Sequence, residues 1–331
     1  MGFGAGRGAL GVVWLWGALV SACSGDASSD AAGGASDSAG AGKGVGEGGA
    51  GSDGAGDGAV DGAGDGVGDG GVDDGGADGG GPAERFVRVP AQRFTVGCTP
   101  GQSDCSSDER PPTPVVLSQD LLVGATEVTQ AEFEAVMGYN PAALLSCGAD
   151  CPVERLSWDE AAAYANAESA AAGLELCYAC SGSGTSISCS PAVDPYRCAG
   201  YRLPTEAEWE GAARCGADLP FAGNTNAGAV AWFDSNSDGS THPVAGKAPN
   251  ACGLYDMSGN VWEWTQDWYR SRSYTGVEQT DPVGPSTGDF RVYRGGAWNF
   301  SRSAARLSNR NEELPSHRAD YLGLRLVRIA P

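Results

Sequence analysis

Apolar residues follow three different regimes along the chain. Residues 8 to 20, GALGVVWLWGALV, are almost unbroken apolar sequence, whereas Ser24 to Ala83 hold little beyond Gly, Ala, Ser and Asp. From Arg85 onward apolar residues return in short periodic bursts. Three of these bursts open with a Thr or Ser followed three residues later by Glu: TQAE (129–132), SWDE (157–160) and TEAE (205–208). A hydroxyl that caps the first turn and a Glu that bonds back to it mark a helix start. The first leads into Phe133, Val136 and Met137 at helical spacing and should stop at Gly138. The third leads into Trp209, Ala212 and Ala213 and should stop near Gly216. Later in the chain only short strand-like pieces stand out, RVYRGG (291–296) and GLRLVR (323–328), among many Gly, Asn, Pro and Trp. Early helices and late short strands joined by long loops predict an α+β domain low in regular secondary structure.

The first apolar run is too short to span a bilayer comfortably. With Arg7 before it and VSAC ending at Cys23 behind it, the layout is that of an export signal over residues 1–22. Small residues before Cys23 resemble a bacterial lipobox, which implies cleavage at that point and acyl chains on the Cys23 sulfur. Such an anchor would hold an extracytoplasmic lipoprotein to a membrane of the cell envelope.

Residues 23–83 carry 12 acidic side chains and one Lys, about half of the chain's net charge of −21. A segment of this composition cannot assemble a core and repels itself. Asp recurs every four residues from Asp53 to Asp73, but without the apolar position that a calcium-binding solenoid needs to stack its turns. The expected role is a disordered tether, with an end-to-end span of roughly 45 Å for a Gly-rich coil of this length. Residues 84–331 are also acidic, which argues against nucleic acid as a partner.

That globular part has ten cysteines, Cys98 to Cys252. In an exported domain an even number reads first as disulfides. Short loops favour Cys98 with Cys105 and Cys147 with Cys151. The run from Cys177 to Cys198 also admits a four-thiolate zinc site or a redox-active Cys177/Cys180 pair.

Six motifs then appear in one order: EVTQAEFEAVMGYNP (127–141), VERLSWDEAAAYA (153–165), GYRLPTEAEWEGAAR (200–214), PNACGLYDMSGNVWEWTQDWY (249–269), YRGGAWNF (293–300) and YLGLRLVR (321–328). Together they resemble the formylglycine-generating enzyme, or sulfatase-modifying factor, family across the whole globular part. The resemblance implies the family's variant of the C-type lectin fold, with residues 177–198 as an insertion. It also implies a structural calcium at Asp256, Gly259, Val261 and Glu263, hard donors and carbonyls in a tight turn. A second family calcium site would place its Asn ligand near Val230, which cannot donate.

Catalytic members oxidise a sulfatase cysteine to formylglycine with copper held by two cysteines, and soft thiolates suit Cu(I). Those two positions fall on Phe300 and Ala305 here, and no cysteine follows Cys252. Copper is therefore not expected. The same stretch offers a set suited to a peptide, protein or glycan ligand: Trp298, Asn299, Phe300, Arg302, Arg306, Asn309, Arg310 and Arg318. The competing expectation is that Arg302, Arg306 and Arg310 form internal ion pairs in an acidic domain. Three functions stay open: a binding module, an oxidase with an altered site, and a structural envelope component. The two histidines, His242 and His317, are too few for a histidine metal centre.

Overall fold

A computed structural model describes residues 85–331. The export signal, Cys23 and the acidic tether lie outside the described residues.

All three capping boxes fold as the sequence predicts. Helices α1 (Gln130–Met137), α2 (Trp158–Ala171) and α3 (Glu206–Arg214) start at Thr129, Ser157 and Thr205, each accepting from the backbone N–H three residues on. Helix α1 ends at Gly138 with φ 76°, a left-handed conformation that costs Gly little. In α3 that position is Cys215. Within α1, Phe133 is buried while Val136 reaches the surface.

Two three-stranded sheets and one four-stranded sheet complete the frame. One sheet pairs Leu121–Gly124 with Phe86–Val89 on one side and Val327–Ile329 on the other, so both ends of the described chain flank the same strand. Another pairs Thr113–Leu117 with Gln92–Val96 and Gln279–Thr280. The third runs in the order Asn311–Glu313, Arg291–Arg294, Trp262–Trp268 and Leu322–Gly323. Its strand Trp262–Trp268 is buried along nearly its full length, with Trp262 and Trp264 in the main apolar cluster beside Phe133, Trp158 and Tyr164.

The ten cysteines form five disulfides: Cys98–Cys105, Cys147–Cys151, Cys177–Cys198, Cys180–Cys189 and Cys215–Cys252. This settles the 177–198 run against zinc and against a Cys177/Cys180 redox pair, since each thiol there is bonded to a different partner. The insertion is a hairpin, Tyr178–Ser181 against Ser188–Pro191, with Cys180 opposite Cys189. Bridges of this number belong to an oxidising compartment. Among the described residues no helix is long and apolar enough to cross a membrane.

Candidate functional site

The C-terminal face is shaped by the turn after strand Arg291–Arg294. Gly296 (φ 80°) has no room for a side chain, because a Cβ there would sit 2.7 Å from the backbone of Ala305. The chain then passes a short 3-10 helix, Arg302–Ala305, and continues extended from Arg306. Because the helix stops there, a spacing of four does not put three arginines on one face. Arg302 is exposed, whereas Arg306 and Arg310 turn inward.

The two positions that the family resemblance aligns with copper ligands are occupied by packed carbon. Phe300 stands edge-on to Trp262 and Tyr321, with centroids 5.6 and 5.0 Å away. Ala305 is buried with Phe221, Val230 and Phe233. Every cysteine among the described residues is in a disulfide, so no thiolate pair is available there to take up Cu(I). These residues do not fit the copper of the catalytic members.

The expected ligand-contacting set does not converge. Arg306 makes a two-pronged ion pair with Glu109, at 2.6 and 2.8 Å, and Ser308 donates to the same carboxylate at 2.6 Å. Burial alone would raise the Glu109 pKa, but these donors hold it below its ordinary value. Arg310 pairs with Glu206 at 2.6 and 2.7 Å and lies over Tyr269 and Tyr274. Both guanidiniums are therefore corrected from ligand contacts to internal ion pairs. Burying an unpaired charge this deeply is costly, and each of these two guanidiniums has a buried acid within reach. Arg318 is partly exposed and bonded to Glu160 and the Thr185 carbonyl, away from Arg302. Trp298 donates to the Asp320 carbonyl at 2.9 Å, Asn299 is exposed, and the Asn309 carbonyl accepts from Arg294.

What the fold does assemble at this face is a cavity of about 430 Å3 next to Ala305. Ser301, Arg302 and Ser303 form one wall, while Gln102, Asp104 and Thr225 come from distant loops, with Phe221 as an apolar contact. Arg302 makes no ion pair among the described residues. Arg306 reaches the cavity too, but its charge is balanced by Glu109 and Asp104. No sequence signal marks Gln102, Asp104 or Thr225, because nothing local to them is periodic or motif-like.

Beneath this face lies the expected calcium turn. Asp256 has φ 57°, and its Oδ2 accepts from the Ala245 N–H at 2.7 Å while Oδ1 is buried without a partner. Burial pushes the Asp256 pKa up to about 6. Glu263 bonds through its two oxygens to Arg325, at 2.8 to 3.1 Å, and to Trp209 at 2.7 Å. A third acid, Glu127, which sequence reasoning missed, accepts from Asn260 and the Val261 N–H. Burial and the neighbouring Asp256 and Glu263 push its pKa well above the ordinary range. Three buried acids thus share one cation, Arg325. Among the described residues no three His, Cys, Asp or Glu side chains converge as a metal site. A calcium ion would rest on Asp256 Oδ1 and on the main-chain carbonyls of Gly259 and Val261, and would compete with Arg325 for Glu263. The orphaned Asp256 oxygen and the crowding of three acids around one guanidinium suit such a hard cation.

Comparison with known proteins places these observations. The family described as "Sulfatase-modifying factor enzyme 1-like domain" matches residues 76–330. "Chaperone protein LppX" of Paenibacillus barcinonensis is 31% identical over 241 residues, 64% of this chain and 81% of that protein. The formylglycine-generating enzyme of Streptomyces coelicolor is 35% identical over 201 residues, and the match spans 54% of this chain and about half (53%) of the enzyme. Among solved structures, Treponema denticola variable protein 1 superposes with a TM-score of 0.64 at 33% identity, covering 74% of this chain and 95% of that one.

Proposed function

The chain belongs to the sulfatase-modifying factor family, and from that premise we propose that it is a binding module of the family without copper-dependent oxidase chemistry. The observation that carries this reading is that every cysteine among the described residues is in a disulfide, which leaves no thiol pair there for copper. At the positions where the family resemblance puts the copper ligands, Phe300 is half-buried against Trp262 and Ala305 is buried, and a polar cavity opens beside them. Its free cation, Arg302, and its hydroxyl and amide neighbours suit a peptide, protein or glycan that presents carboxylates or hydroxyls. A relative named a chaperone, matched over more of this chain than the enzyme from Streptomyces coelicolor, supports a binding role.

The apolar run that ends in VSAC supports lipidation at Cys23, and the acidic composition of residues 24–83 supports a tether that holds the domain off the membrane. Calcium at Asp256, Gly259, Val261 and Glu263 would cross-link the turn beneath the face and favour the ionised forms of its crowded acids. A peptide and glycan array probed with the oxidised protein tests the binding role. Arg302→Ala should abolish every specific signal without loss of folding. An array that stays blank, or signals that ignore Arg302→Ala, would contradict it.

A further inference from the structure

Seven arginines among the described residues are buried: Arg202, Arg214, Arg291, Arg294, Arg306, Arg310 and Arg325. Six of them pair closely with a carboxylate, from Glu109, Glu206, Glu208, Glu210 or Glu263. Arg291 alone has no ion pair, although it is only 3% exposed. Its planar group is held between two indoles, 3.9 Å from the Trp158 ring centroid and 3.5 Å from that of Trp268. One donor, Nη1, goes to the Gln266 carbonyl at 2.6 Å, and Nε is buried with no partner. A desolvated cation without a counter-charge is costly, and burial lowers the Arg291 pKa to about 10.

This guanidinium lines a cavity of about 390 Å3. One wall is Pro191, Val193 and Pro195 from the disulfide-tied insertion, and the other is Trp268 and Pro285. The nearby acids Asp159 and Asp267 act on Arg291 only at a distance and form no ion pair with it. Burial raises the pKa of Asp159, which accepts from the Cys189 N–H, and burial together with Glu206 pushes Asp267 up to about 8. Asp194 lies at the exposed rim and accepts from the Tyr196 N–H. Apolar walls around an unpaired, rigidly stacked guanidinium form a receptor for a carboxylate with an organic body.

We propose that the cavity floored by Arg291 is a second binding site, for an organic carboxylate whose body lies between Trp268 and the proline-lined wall of the insertion. The site is separate from the Arg302 cavity and does not depend on what that cavity binds.

Calorimetric titration of the oxidised full-length protein with N-acetyl-phenylalanine tests this, with the uncharged N-acetyl-phenylalanine amide and sodium sulfate as parallel probes. The carboxylate should bind one per chain with a Kd of roughly a millimolar. The amide should bind at least about tenfold more weakly, because it cannot receive the charge-assisted bonds, and sulfate should not compete. Arg291→Lys should weaken binding several-fold. Because that variant removes a stacked core group, a second one is needed: Ala192→Phe fills the cavity mouth from an exposed position and should abolish binding with no change in Tm. Equal binding of acid and amide, displacement by sulfate, unaltered binding to Ala192→Phe, or no saturable heat would each overturn the proposal.

Discussion

Two cavities in this domain are floored by a buried arginine, and they differ in what balances the charge. At the C-terminal face Arg306 meets Glu109 through two short bonds and is further flanked by Asp104. Beside the insertion Arg291 meets two tryptophan rings and a carbonyl, but no carboxylate. A paired guanidinium is framework, holding the loop around Asp104 to Glu109 against the C-terminal chain. An unpaired one keeps binding capacity in reserve, because its counter-charge has still to arrive. In the first cavity the proposed recognition therefore falls to the exposed Arg302, four residues before the buried Arg306.

The largest effect should come from Arg306→Ala, which leaves Glu109 buried and uncompensated and should cost about 3–5 kcal/mol in chemical unfolding. Replacing Glu109 and Arg306 together by apolar residues of similar size should recover most of that loss. A failure to recover would show that Arg306 is more than framework. Removing the Cys177–Cys198 bridge by a double Ser substitution opens a loop of 21 residues and should cost about 3 kcal/mol. It should also weaken N-acetyl-phenylalanine binding at Arg291 while leaving array signals that depend on Arg302 intact, which separates the two cavities.

Asp267 gives a pH signature. Its pKa is about 8 in the folded state against an ordinary 3.8, so the folded protein holds this proton more tightly than the unfolded chain. Its stabilising contribution is full below about pH 4 and declines as pH rises toward 8, by more than about 1 kcal/mol between pH 5 and 8. Asp267→Asn, which can still accept from the Glu206 N–H, should flatten that decline. An unchanged pH profile would show that the Asp267 carboxyl is not held neutral. The smallest effect on stability should be that of Arg302→Ala, within about 0.5 kcal/mol, despite complete loss of ligand signals.

The parts legible in the sequence were local. Each capping box at Thr129, Ser157 and Thr205 depends on contacts within four residues, and all three helices start where the pattern puts them. The short loops closed by Cys98–Cys105 and Cys147–Cys151 were readable for the same reason. Family motifs carried the rest of the fold class. What stayed hidden was set by distant partners. Glu109 lies 197 residues from Arg306 and Glu206 lies 104 from Arg310, so spacing among the arginines could not show which of them were neutralised. Arg291 sits in the strand-like RVYRGG, and nothing local distinguishes it from Arg294, which Glu210 neutralises. Glu127 sits in a recognised motif, but only the folded chain brings it beside Asp256 and Glu263.

The most direct measurement supplies the oxidised protein with Cu(I) and oxygen, adds a sulfatase-type CxPxR peptide, and weighs the peptide by mass spectrometry. An active formylglycine-generating enzyme is run alongside. The account predicts an unchanged peptide mass while the control enzyme converts its own sample. Conversion of the peptide cysteine to formylglycine by this protein would contradict it, and would require a copper site that the bridged cysteines and the packed Phe300 and Ala305 do not provide.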